Sequence, residues 1–429
     1  MRHLTIKNFS CIKEASLDLG RLTILIGPQA SGKSVICKLS HFLFETLKYQ
    51  SEFIWKGASL DVFKEGIATT FCEWFPPSAW GEKKFSIEFR AGAYHISITH
   101  PEHGKKNSAH LKIKLSDAFE KQYVEMRDQV AKHNVAISRS PGVDIVDFWQ
   151  TRNITNKSSE VLLDKDYLNS QLFIPAGRSF FTSIGKTLAT FAQNQNLDPL
   201  ILPFGQFFTQ CKERRNDHVQ DDNTRPRTSI QASFAHILGG TLITGGDQDM
   251  VECADGRRIP FTALSSGQQE LLPLAVVLPE LAVTGIRQCI YIEEPEAHLF
   301  PSAQSMLVEI FANIINFTGI GPDAGADLVL TTHSPYVLVK INNLIKAGQL
   351  GRSDSEAQQA KVQSIISKDA WLGSDTVQAY AIRDGHLENI IDTDGLINGD
   401  YLDDVSGDIS KEFMRLLEIE IENGIEIEP

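Results

Sequence analysis

The chain has 429 residues, 42% of them hydrophobic, and a formal charge of -13. That length and apolar content support a large core. The acidic balance argues against a protein that coats nucleic acid through its overall field, and no apolar run is long enough to span a bilayer. The cysteines Cys11, Cys37, Cys72, Cys211, Cys253 and Cys289 are scattered without a CxxC pair, and the start MRHLTIKNFS has no apolar signal region. Both features fit a reducing cytoplasm.

In chain order, His3 to Phe9 and Ala15 to Leu19 alternate like a pair of strands, and Leu22 to Ile26 (LTILI) reads as a buried strand between Gly20 and Gly27. The loop GPQASGKS follows: Gly27, Pro28, Gln29, Ala30, Ser31, Gly32, Lys33 and Ser34. Helical spacing then runs through Val35, Ile36, Leu39, Phe42 and Leu43. A glycine loop between a strand and a helix start is a phosphate cradle, because converging backbone N–H groups and the helix dipole attract an anion. Gly27 and Gly32 admit the phosphates to the backbone, Lys33 reaches the β and γ phosphates, and Ser34 is the Mg²⁺ ligand. Residues 1–100 form the first lobe.

Residues 101–258 read as a mainly helical insertion. Ala118, Phe119, Tyr123, Met126 and Val130 have helical spacing without sustained heptads. His100, His103 and His110 match no zinc spacing. Gln171 to Ile184 (QLFIPAGRSFFTSI) contains a core strand near 171–178 ending in Arg178, which either reaches a phosphate or caps the sheet. Lys212 to Arg227 reads as an exposed charged loop.

Residues 259–344 carry three further motifs. TALSSGQQELL opens a helix, with Ser265 and Ser266 as N-cap candidates and Glu270 as a capping-box acid. CIYIEEPEAHLFP is a strand that presents Glu293 and Glu294 at its C-terminal end, where α/β sheets place ligands. DLVLTTHSP is another strand, ending at His333. Residues 345–429 supply a hairpin around Asp384-Gly385 and a last helix near Met414 to Ile421. The acids Asp392, Asp394, Asp400, Asp403, Asp404 and Asp408 accompany turn residues.

Four motifs in this order resemble the heads of ABC-type ATPases of the SMC, RecF and OLD kind, over roughly residues 1–89 and 259–344. The resemblance implies an α/β head with an N-terminal antiparallel β-ribbon, a mixed or parallel nucleotide-binding sheet and a largely helical insertion. It implies ATP and Mg²⁺ as cofactors, and residues Gly27 to Val35 as the ATP loop. Ser34 and Glu293 lie on the metal side, Glu294 is the general base, and His333 senses the γ-phosphate. In a head-to-tail dimer Ser265, Ser266, Gly267 and Gln268 act on the partner's nucleotide. The chain departs from the family at Gln29-Ala30, where Asn-Gly is usual, at Ser266 in place of glycine, at Glu293 in place of aspartate, and at Phe300, where the OLD-like branch often has histidine.

Lys33 and Ser265 are much further apart than the corresponding motifs of transporter ATPases, and the tail is short for a TOPRIM nuclease. The layout resembles the ATPase subunits of two-component anti-phage systems such as Septu, PARIS and ATPase-bearing retrons. That likeness implies a separate nuclease or toxin effector as partner, no membrane, and no nuclease activity in this chain. The alternatives are a RecF-like DNA-binding ATPase, for which Lys212 to Arg215, Arg225 to Arg227, Arg257 and Arg258 are the candidate cations, and an ATP-stabilised scaffold with little turnover.

Overall fold

The computed structural model describes residues 1–81, 84–101, 110–137, 144–184, 198–217, 225–244, 248–317, 325–352, 355–398 and 414–415. The expected last helix, apart from Met414 and Arg415, and Asp400, Asp403, Asp404 and Asp408 lie outside them.

The main sheet has two halves. Strands β1 (Arg2–Phe9), β2 (Ile12–Leu19), β4 (Phe85–Ala91), β5 (Tyr94–His100) and β6 (Lys112–Leu115) make the antiparallel half. Strands β3 (Leu22–Ile26), β7 (Ser170–Ile174), β11 (Arg287–Glu293), β12 (Gly325–Thr332) and β13 (Val377–Arg383) run parallel in the other. With β14 (His386–Asn389), the order is β6-β5-β4-β1-β2-β14-β13-β3-β12-β11-β7. The fold is thus an α/β head with a mixed sheet. The C-terminal hairpin β13–β14 stands in its middle and joins the halves.

Every residue of β3 is buried, as a strand covered on both faces requires. Ile24 and Ile26 face a core shared with helices Ile201–Asp217, Arg225–Leu238, Ser266–Leu281, Pro301–Asn316 and Pro335–Gly351. Leu25 faces the opposite core, with helices Lys33–Trp55, Leu60–Trp74 and Asp117–Ile137. In the last of these, Phe119, Tyr123, Met126 and Val130 are buried at the expected helical spacing.

The insertion is largely helical and carries β7 where the sequence places a core strand. It also contributes β6, and a small sheet of β8 (Gly240–Ile243), β9 (Met250–Cys253) and β10 (Arg258–Pro260) forms at its end. These added strands span three or four residues, too few for periodicity to separate them from loop. The charged segment also differs from the expected exposed loop. Lys212 lies in a helix and pairs with Asp249 at 2.5 Å, and Arg227 is buried against Glu280.

Among the buried polar side chains are an ion pair and a histidine. Arg2 at the start of β1 donates to Asp327 of β12 at 2.5 Å, with both side chains 4% exposed. Asp327→Ala leaves the guanidinium buried without its counter-ion, and we expect a loss of about 3–5 kcal/mol in chemical denaturation. His41 stacks on Trp74 and meets the edges of Phe173 and Tyr291. Burial pushes its imidazole down to about 4. The unfolded chain therefore takes up a proton near pH 6.5 that the folded chain refuses. The contribution of His41 is complete above pH 6.5 and is lost as pH falls toward 4. In His41→Leu, the wild-type stability loss between pH 7 and 4 should shrink by about 3 kcal/mol, measured by denaturant titration across that range.

Candidate active site

The loop after β3 is shaped by close approaches. A Cβ at Gly27 would stand 2.9 Å from Ser31 Oγ and 3.0 Å from the carbonyl of Ile382 in β13. Gly32 has φ 108° and faces Cys11 and Ile12 of the ribbon, where a Cβ would come within 2.9 Å of the Ile12 side chain. Ala30, where the resembling family has glycine, also lies in the left-handed region at φ 58°. Alanine is the smallest L residue that can occupy it, at a cost of about 1–2 kcal/mol. Gly32 caps the helix Lys33–Trp55 without a side-chain acceptor, so the first amides of that helix have no intrahelical partner.

Lys33 is buried, and its ammonium donates to the carbonyls of Gly27 and Pro28, both at 2.7 Å. Its Nζ is 3.5 Å from His333 Nδ1, and His333 Nε2 is 3.0 Å from Glu294 Oε1. Loop lysine, strand-end histidine and strand-end carboxylate thus form one row across β3, β12 and β11. Burial lowers the pKa of Lys33, opposed by the charges of Glu294 and Glu296.

Glu293 and Glu294 have different surroundings. Glu293 is buried at the end of β11; its Oε2 accepts the Ala176 N–H at 3.4 Å, and its Oε1 has no partner among the described residues. An unpartnered buried carboxylate oxygen beside a phosphate loop fits a hydrated Mg²⁺ held between Ser34 and Glu293. Ser31 Oγ is likewise buried without a partner among the described residues, and donation to a phosphate oxygen would satisfy it. Glu294 is 37% exposed at its side chain, open enough to meet a water, and its φ is 43°. Its amide donates to Thr331 O at 3.0 Å.

Glu296 carries no role in the sequence reading. The structure gives it the placement of His333: its Oε1 accepts the His333 N–H at 2.8 Å and the Thr332 hydroxyl at 2.6 Å. The signal for it is the repeated acid of EEPEAH.

Ser265 caps the helix Ser266–Leu281, and the capping box closes with Gln268. Glu270, the expected capping-box acid, instead turns inward and accepts the N–H groups of Arg178 and Ser179 at 2.8 and 3.1 Å. Ser266 is the first helical residue, not a cap. Gly267 packs on the turn after β11, where a Cβ would come 2.6 Å from the carbonyl of His298. Ser265 and Ser266 are exposed, and among the described residues no hydrogen bond joins Ser265 to Gln268 with Lys33, Glu294 or His333. Arg178 is 0% exposed, and its guanidinium donates to the carbonyls of Glu270, Pro175, Glu293 and Glu294.

Elsewhere, His100 stacks on Phe85 and His103 lies outside the described residues. No group of three or more His, Cys, Asp or Glu with metal-holding geometry occurs among the described residues. Asp392 accepts the N–H groups of Asp394 and Leu396, which is turn chemistry. Among the described residues no helix is long and apolar enough to cross a membrane.

A family model for the AAA ATPase domain matches residues 1–140 and 77–338. Among solved structures, the chain is similar to an SMC head domain from Thermotoga maritima, at 11% identity over 91% of this chain and 98% of that one, with a TM-score of 0.37. It is also similar to an SMC head bound to the C-terminal winged-helix domain of ScpA, at 13% identity over 90% and 96%, with a TM-score of 0.39. A third is the recombination mediator RecF with a bound ATP analogue, at 12% identity over 90% and 97%, with a TM-score of 0.30. No curated protein matches the sequence.

Proposed function

Because the chain belongs to the AAA ATPase domain family, we propose that it binds and hydrolyses Mg-ATP as an ABC-type switch whose two sites are completed by head-to-tail pairing. The row Lys33–His333–Glu294, with contacts of 3.5 and 3.0 Å, carries this reading. In it Lys33 leaves the Gly27 and Pro28 carbonyls to pair with β and γ phosphates. Glu294 orients and deprotonates the attacking water, and His333 registers the γ-phosphate beside it. Ser34 and Glu293 hold Mg²⁺, which supplies charge neutralisation at the phosphates. The exposed Ser265 and Ser266, with Gly267 and Gln268, meet the partner's nucleotide. A purified sample should release phosphate from Mg-ATP, with a specific activity that rises with protein concentration as heads pair. Absence of turnover together with tight ATP binding would favour the scaffold instead.

For the biological setting we propose the sensor or switch subunit of an anti-phage complex that holds a separate nuclease or toxin. A switch needs two states that differ in γ-phosphate contacts, and the Lys33–His333–Glu294 row is where a bound γ-phosphate would make them. The RecF-like alternative fits the family equally: Lys212 and Arg227 are paired with carboxylates in part-buried positions, while Arg214 is exposed and Arg257 and Arg258 form only exposed pairs. Purification of an ATP-trapped variant from its host distinguishes the two. A nuclease- or toxin-like protein in near-stoichiometric amount supports the defence switch. DNA released by salt supports the repair reading.

A further inference from the structure

Arg178 follows β7 in the Pro175-Ala176-Gly177 turn, and its guanidinium is wholly buried. Its Nε donates to the Glu270 carbonyl at 3.0 Å, and Nη1 donates to the carbonyls of Pro175 at 3.2 Å and Glu293 at 2.6 Å. Nη2 donates to the Glu294 carbonyl at 3.0 Å and lies 3.6 Å from the Glu270 carboxylate. That carboxylate in turn accepts the main-chain N–H groups of Arg178 and Ser179. One planar fork therefore fixes three segments against each other: the second turn of the Ser265-capped helix, the turn after β7, and the end of β11.

The fork holds a constrained point of the site. Glu294 stands at φ 43°, where an L side chain is strained. Its carbonyl is held from two sides, by Arg178 and by the Ala297 N–H at 3.1 Å. Its side chain makes the 3.0 Å contact to His333. Without Arg178, one of these two restraints on the carbonyl is gone. Glu270 sits one turn below Ser265 and Ser266, the residues exposed for a partner. A displacement of that helix start moves both the carbonyl and the carboxylate that grip Arg178.

We propose that Arg178 and Glu270 form a positioning pair that sets the pose of Glu294 and transmits to it the engagement of the Ser265–Gln268 helix start by a second copy of this chain. This rests on the ATPase reading for its consequence, but not for the grip itself. It makes each head's base sensitive to whether that head is serving its partner's nucleotide, so the two sites of a dimer fire together. A lysine at 178 keeps the charge but offers a single ammonium, which cannot span the four acceptors.

The test uses the full chain with Arg178→Lys and Glu270→Gln, each shown to be folded by circular dichroism. Hydrogen exchange reads the grip and turnover reads its consequence. The pair predicts amide exchange of Glu294 and Ala297 at least about tenfold faster in both variants, while the Lys33–Trp55 helix keeps wild-type protection. It also predicts kcat at least about tenfold lower with the ATP Kd within about twofold of wild type, and a Hill coefficient for ATP that falls from above one to about one. Unchanged exchange at residues 294 and 297 in folded variants would overturn the proposal, as would kcat and affinity falling in parallel. If the wild type has no turnover but exchange rises at residues 294 and 297 alone, the ATPase reading fails and the hold of the pair on Glu294 stands.

Discussion

Lys33→Ala should raise the Kd for ATP by at least about a hundredfold, or about 3 kcal/mol, in equilibrium titration with a fluorescent ATP analogue. The lysine supplies the positive charge within the loop, and its Nζ already sits at the mouth of the cradle, bonded to Gly27 and Pro28. The same change should leave folding stability within about 1 kcal/mol of wild type. Two opposing effects produce that near-balance. Burial works against the ammonium, as its lowered pKa shows, while two loop carbonyls lose a donor. A native melting curve with lost binding therefore marks a nucleotide ligand, whereas retained affinity would remove Lys33 from the site.

Glu294→Gln should lower kcat by about 10²–10⁴-fold while ATP affinity stays near wild type. The glutamine carbonyl can still accept from His333 Nε2, so the 3.0 Å contact has a substitute, and Lys33, Ser34 and Glu293 are untouched. What is lost is the ability to take a proton from water. The variant should accumulate as an ATP-bound pair of heads, visible by sedimentation as a dimer that dissociates when nucleotide is removed. Wild-type turnover would place the base elsewhere, and Glu296 is disfavoured for that role because it is buried, at 8% exposure, with its Oε1 committed to Thr332 and His333.

The parts of the fold visible in the sequence are those set by local pattern. A short apolar run before GPQASGKS marks β3 and its loop, Asp384-Gly385 marks the β13–β14 hairpin, and apolar spacing marks the helices after Lys33 and Pro301. Strand order is not visible, because it depends on distant pairings. Tyr380 of the hairpin reaches Asp18 across 362 positions, and nothing local to either residue announces that the hairpin stands between ribbon and phosphate strand. The capping box shows a finer limit. The S-x-x-Q spacing of Ser265 and Gln268 already marks the box, whereas Glu270 stands four and five residues beyond the serines, and its inward turn to Arg178 is what no local pattern announces. Arg178 itself is visible as a residue at a strand end, but three of its four acceptors, at Glu270, Glu293 and Glu294, lie 92 to 116 positions away.

The head-to-tail completion of the site is tested most directly by mixing two inactive proteins. Lys33→Ala removes the phosphate cation, and Ser266→Arg places a bulky cation at an exposed helix start that, among the described residues, makes no hydrogen bond to its own Lys33, Glu294 or His333. Each alone should hydrolyse no ATP. A mixed dimer contains one doubly damaged site and one intact site, so an equimolar mixture should recover turnover, at most roughly a quarter of wild type by random pairing and about tenfold less where the coupling through Arg178 and Glu270 holds back a head that is not serving its partner's nucleotide. A mixture no more active than the sum of its components, with both variants folded, would contradict completion in trans.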